Sequence, residues 1–185
     1  MEKGYASTSI RNIAEKIEYS PATVYLYYRD KDEIMHALHQ EGFKMLLTYF
    51  APAIEIADPF ERLKRMGYEY IRFAMENPDM YNLIFVMEDP IDHVDRCSDV
   101  GWKEGNDAFG TLLKTVNDCQ QQGYFASFEP QGLSFMIWST MHGLCTLRGS
   151  GHLGHVEIGS ALQPDIDALM KYTFETFLAV LKQLK

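Results

Sequence analysis

Long apolar runs, paired cysteines and hairpin signals are what this chain of 185 residues has least of, and each shortage closes off a class of protein. No stretch approaches the about 18 consecutive apolar residues of a membrane-crossing helix, and the opening MEKGYASTS lacks the apolar segment of a signal peptide. The expectation is a cytoplasmic protein with no membrane partner. Cysteine occurs three times, at Cys97, Cys119 and Cys145. An odd, widely spaced set argues against a disulfide framework and for reduced thiols serving as small core residues. Asn-Gly and Asp-Gly turns between alternating apolar residues are missing, so no β-hairpin is marked, and no internal repeat or low-complexity tract is evident.

Catalytic patterns are equally scarce. No nucleophile has a spaced base, no glycine motif cradles a phosphate, no paired acidic motif stands out, and His142 with Cys145 forms an i, i+3 pair with no orienting third group. On spacing, His93 and Cys97, or the trio His142, His152 and His155, could share an ion, yet no carboxylate or second cysteine completes a set. The reading is a protein that is not an enzyme and uses no metal or cofactor.

Positive charge is also short, with 17 Lys and Arg against 26 Asp and Glu for a net charge of -9. That balance argues against nucleic acid, because phosphate binding is driven by cations that release counterions. Its distribution reverses the objection locally. Through Lys31 the bases Lys3, Arg11, Lys16, Arg29 and Lys31 outnumber Glu2, Glu15, Glu18 and Asp30, for a net of +1, so the acidity lies downstream.

What is present is helix pattern throughout, which predicts an all-α fold. A first helix opens after Thr8 as N-cap, carries Ile10, Ile13, Ala14 and Ile17 on one face and ends near Glu18. Ser20-Pro21 starts a second over 21–28, since Ser accepts from orphan amides and Pro gives up one that has no partner. Asp30, with Glu33 three residues on, caps a third that continues to Ile56. Asp58-Pro59 opens a fourth, and Asn77-Pro78 stops it and starts a short aromatic one through Phe85. Further helices are expected over 92–122 with Gly123 as cap, over 129–147, and after Pro164. The glycine-rich 149–160 reads as the most mobile loop.

The first two helices, separated by a tight turn, have the layout of a helix-turn-helix, whose second helix enters the major groove. At 100° per residue, Val24 and Tyr28 share one face while Ala22, Thr23, Leu26 and Tyr27 take the other, with Tyr25 at the border. Val24 and Tyr28 should pack against Ile13, Ile17 and Ile34. Small Ala22 and Thr23 permit close approach to bases, Tyr25 and Tyr27 can reach phosphates, and Lys31 adds another phosphate contact.

The run GYASTSIRNIAEKIEYSPATVYLYYRDKDEIMHAL, residues 4 to 38, resembles the DNA-binding segment of the tetracycline-repressor family of bacterial transcription regulators. The resemblance is carried by Gly4-Tyr5, Thr8-Ser9, Ile13-Ala14, Ser20, Thr23, Val24-Tyr25, Tyr27-Tyr28 and Lys31-Asp32. It implies that Thr23, Tyr25, Tyr27 and Lys31 touch DNA, with Ala22 and Leu26 on the base-facing side, Arg11 on the supporting helix, and Thr8, Ser9 and Pro21 among the contacts. One departure is that the family carries a further helix ahead of the Gly-aromatic pair, where this chain has Met1-Glu2-Lys3. A head without that helix would lose part of its core.

The resemblance divides the chain into a helix-turn-helix head over 1–45 and a helical ligand-binding and dimerisation domain over 46–185. Trp138-x3-His142-Gly143 is similar to a tryptophan-histidine-glycine signature of one C-terminal subgroup. From the residues alone, Trp138 and His142 lie one turn apart, either as a packing seam with a hydrogen-bonded His or as ligand contacts, and Gly143 permits close approach by another helix. Tyr68, Phe73, Tyr81, Phe85, Trp102, Phe109, Trp138 and His142 are the ligand-binding candidates, and their chemistry suits a small apolar or aromatic effector. The functional expectation is a ligand-responsive repressor that binds a double-stranded, palindromic DNA operator as a homodimer. The alternative is a small-molecule-binding helical domain that does not bind DNA.

Overall fold

Six of the helices begin where a side chain takes up an orphan amide of the first turn in the computed structural model, which describes residues 8–87, 102–155 and 165–184. Among the described residues there are eight α-helices and one 3₁₀ turn, with no strand.

Helix α1 (Ile10–Lys16) is capped by Ser9, one residue later than the expected Thr8. The reason is Asn12, whose amide nitrogen donates to Ser9 Oγ (3.2 Å) while its Oδ1 accepts from the Ser9 amide (3.1 Å), closing a reciprocal cap. Helix α2 (Pro21–Tyr25) is shorter than expected. Its last turn tightens, with both Tyr27 and Tyr28 amides donating to the Val24 carbonyl at 3.0 Å. Helix α3 (Lys31–Ile54) has Asp30 accepting from the Glu33 amide at 2.9 Å, and Glu33 reaches back to the Arg29 amide at 2.6 Å.

Helix α4 (Pro59–Glu76) starts at Asp58, which accepts from the Glu61 amide at 2.9 Å, and α5 (Pro78–Phe85) follows directly. Helix α6 (Lys103–Gln121) begins later than the predicted residue 92; residues 88–101, with His93 and Cys97, lie outside the described residues. It ends as expected at Gly123, whose φ of 88° lets the Tyr124 amide fold back to the Cys119 carbonyl. Helix α7 (Pro130–Gly149) is capped by Glu129, a 3₁₀ turn spans His152–Gly154, and α8 (Ile166–Gln183) closes the chain.

The chain divides into two units, one of residues 1–45 with 79–105 and one of 46–78 with 106–185, so the boundary falls inside α3. In the first, Ile10, Ala14, Val24 and Ile34 form a small core flanked by Ile13 and Tyr28. Ile17, expected among them, is instead 50% exposed, because it caps α1 just where the chain turns at Glu18. A second cluster in this unit centres on Phe43, which meets the rings of His39, Phe85 and Trp102 edge to face.

The second unit has a larger core, in which Phe60, Leu63, Val116, Cys119, Phe125, Leu133, Ile137 and Leu181 bring α4, α6, α7 and α8 together. Arg62 fastens α4 to α6 through Asp118 at 2.6 Å. That contact and the Lys114 ammonium, the stronger influence, hold the Asp118 carboxyl below the usual range.

Candidate nucleic-acid interface

The turn between α1 and α2 decides how the second helix is presented. After Ile17 the chain enters the left-handed region at Glu18 (φ 60°), and the Tyr19 amide returns to the Ala14 carbonyl at 2.9 Å. That reversal and the Ser20 cap, which accepts from the Thr23 amide at 3.1 Å, fix the start of α2.

Over α2 and the turn that follows it, the projected split holds except at Thr23. Val24 is buried and Tyr28 half-buried, while Tyr25, Leu26 and Tyr27 are 57%, 80% and 76% exposed. Three consecutive large side chains so far out of the core are not explained by folding of this unit. Ala22 is exposed beside them. Thr23 is half-buried, with its hydroxyl sharing a 2.8 Å hydrogen bond with Ser20 Oγ. Of the other predicted contacts, Ser9 and Arg11 are exposed, and Thr8, Pro21 and Lys31 are half-buried.

Local electrostatics soften the chain's acidity here. Two of the nearby acids, Asp30 and Glu33, are engaged by backbone amides at the start of α3, and the exposed Arg29 side chain adds a contact to Asp30 at 3.3 Å. Their charge offsets the positive end of that helix.

The predicted ligand-binding residues divide between the two units. Tyr81, Phe85 and Trp102 belong to the first, two of them around Phe43. Tyr68, Phe73, Phe109, Trp138 and His142 belong to the second. There Tyr68 sits edge-on to Phe174, and Phe73 is fully buried against Tyr49. Trp138 and His142 are joined by a residue that helix spacing did not single out. Trp138 Nε1 donates to the Tyr70 hydroxyl (3.3 Å), that hydroxyl meets His142 Nδ1 (3.4 Å), and His142 Nε2 faces Thr146 Oγ1 (3.5 Å). Phe109 stacks on Phe135 beside them, with ring centroids 4.6 Å apart. Tyr70 comes from α4 and was not singled out in the sequence, because its contacts lie on α7. Burial lowers the His142 pKa, which favours the neutral imidazole that can serve as both donor and acceptor in this chain.

The remaining chemistry is quiet. Burial pushes the Cys119 and Cys145 thiols up to about 12, so both stay protonated at neutral pH. Among the described residues no group of three or more His, Cys, Asp or Glu could hold a metal ion, and no helix is long and apolar enough to cross a membrane.

Comparison with known proteins places these features. The family model described as "Bacterial regulatory proteins, tetR family" matches residues 1–38, and one described as "Tetracyclin repressor-like, C-terminal domain" matches residues 63–177. No curated protein matches the chain. Among solved structures, the TetR family transcriptional regulator PfmR from Thermus thermophilus is similar at 18% identity and a TM-score of 0.68, covering 96% of this chain and 91% of its own. The fatty acid degradation regulator FadR from Bacillus halodurans is similar at 17% identity and a TM-score of 0.71, covering 96% of this chain and 87% of its own. The ketosteroid transcriptional regulator KstR2 of Mycobacterium tuberculosis matches at 15% identity and a TM-score of 0.65, covering 97% of this chain and 87% of its own. At these identities the likeness concerns the fold.

Proposed function

The chain belongs to the tetR family of bacterial regulatory proteins, with a DNA-binding helix-turn-helix followed by a helical C-terminal domain, and we propose that it acts as a ligand-responsive repressor that binds a palindromic operator as a homodimer. The observation that carries this reading is the exposed row Tyr25-Leu26-Tyr27, at the end of α2 and in the turn that follows, with Val24 on the opposite side anchored in the core. Such a row is positioned to enter a major groove, with phenols placed for phosphate and small groups placed for bases.

Dimerisation is supported by the outer faces of α7 and α8. Met136, Leu147, Tyr172 and Val180 are all 46% exposed or more, and beyond the backbone of its own helix and its chain neighbours Gly143 has open space where a Cβ would stand, among the described residues. Those faces suit a four-helix bundle formed with a second copy. The effector is proposed to be apolar or aromatic, with Phe109, Trp138 and His142 as the leading contacts among the predicted set. The Trp138-x3-His142-Gly143 spacing supports membership of the tryptophan-histidine-glycine subgroup. A ligand that favours a state poorly matched to DNA would release the operator in proportion to its differential affinity. This role belongs in the cytoplasm.

Selection from a pool of random-sequence duplexes with the purified full chain tests the reading. Enrichment of a sequence with two-fold symmetry is the expected result, and a pool that never departs from random contradicts it.

A further inference from the structure

The recognition helix and the turn after it offer no side chain that can pair with a base through two hydrogen bonds. From Pro21 to Tyr28 the residues are Pro, Ala, Thr, Val, Tyr, Leu, Tyr and Tyr, with no Arg, Lys, Asn, Gln, Asp or Glu among them. Side chains that read guanine or adenine through two hydrogen bonds at once are therefore absent from the element that enters the groove. The nearest cations, Arg29 and Lys31, follow it in the chain, and Arg29 Nε is directed at Asp30. Asn12 on α1 has its side-chain oxygen engaged by both the amide and the hydroxyl of Ser9.

What the helix does offer is apolar. Leu26 is 80% exposed, the most exposed large hydrophobic residue among those described, and it lies one turn from exposed Ala22. Thr23 completes the group. Its hydroxyl is drawn back to Ser20, which leaves its methyl as the part better suited to meet a base. In a major groove the single base-edge feature that rewards apolar contact is the C5-methyl group of thymine.

Resting on the DNA-binding role proposed above, we infer that Leu26, flanked by Ala22 and Thr23, reads each operator half-site through thymine methyl groups and not through hydrogen bonds to guanine. Tyr25 and Tyr27 hold the register on phosphates on either side. An operator recognised this way is rich in A·T pairs at the positions under Leu26, and its recognition depends on a methyl group that adds nothing to base pairing.

The test is to select a duplex from a random pool with the full chain, then to compare that duplex with versions in which single thymines are replaced by uracil. Uracil removes the methyl and keeps every hydrogen-bonding group. Burial of one methyl corresponds to about fourfold in affinity, so uracil at one or two positions per half-site is expected to weaken binding by about that factor. In Leu26→Ala the same substitution is expected to have no further effect. Because Leu26 is exposed, this variant should melt with the parent protein, which a thermal scan checks. A selected duplex indifferent to uracil, or a Leu26→Ala protein as sensitive to it as the parent, overturns the inference and leaves DNA binding standing. Failure to select any duplex overturns DNA binding itself.

Discussion

Glu18 sits in the left-handed region at φ 60°, in the position closing α1 that glycine ordinarily fills. A residue with a Cβ is strained there by about 1 kcal/mol or more. Glu18→Gly is therefore predicted to raise stability by up to about 1 kcal/mol, seen as a higher melting temperature. Gly67 and Gly110 form an opposed pair. A Cβ at Gly67 would run into the Phe174 ring, whereas one at Gly110 meets open space beyond its own helix backbone and chain neighbours, among the described residues. Gly67→Ala should cost about 1–3 kcal/mol through overpacking. Gly110→Ala, in the exposed interior of α6, should gain about 0.5–1 kcal/mol by restricting the unfolded chain. Urea titration of both variants checks the contrast. None of these positions was legible in sequence, because a positive φ at glutamate and the neighbour of a helical glycine depend on where the chain goes next.

Among the elements, α2 and α3 show what local chemistry can and cannot decide. The starts at Ser20-Pro21, Asp30 and Asp58-Pro59 were readable, since a cap is a contact between residues three apart. The inward and outward faces of α2 were readable too, from helical periodicity alone. The Tyr70 link between Trp138 and His142 was not, being a contact between α4 and α7. Nor was the division of the aromatic candidates between two units.

Just after α2, Tyr27→Phe removes a hydroxyl proposed to meet phosphate. It should weaken operator and random duplex alike, by up to about tenfold for one hydrogen bond. Anisotropy titrations that show loss on the operator alone would assign Tyr27 to a base. On α3, His39 is buried, and burial, reinforced by nearby His36, lowers its pKa to about 4 despite a backbone hydrogen bond with Ile84 and the Glu104 charge, which act the other way. The unfolded chain takes up a proton near pH 6.5 while the folded one stays neutral to about pH 4. Stability from this group is thus complete above pH 6.5 and falls between 6.5 and 4, by up to about 3 kcal/mol. His39→Leu should flatten that part of a stability profile measured by denaturant titration.

For the molecule as a whole, net charge alone points the wrong way. A chain of -9 is a poor candidate for a polyanion until its charge is mapped, and the segment through Lys31 is then found to carry a net charge of +1. The all-α fold and the helix-turn-helix head follow from patterns written locally. The exposed faces of α7 and α8 acquire meaning only with a second copy, which a single chain's periodicity marks as an apolar stripe without naming its partner. Met136→Glu or Tyr172→Glu should therefore shift the protein toward monomer in sedimentation velocity while leaving its helical content intact.

The most direct test of a two-headed operator-binding protein is a footprint of the full chain on its selected duplex. The account predicts two equivalent protected half-sites with centres about 34 Å apart, one turn of the double helix, both lost together when the dimer face is charged. A single protected half-site that persists in the Met136→Glu protein, or no protection at all, would contradict it.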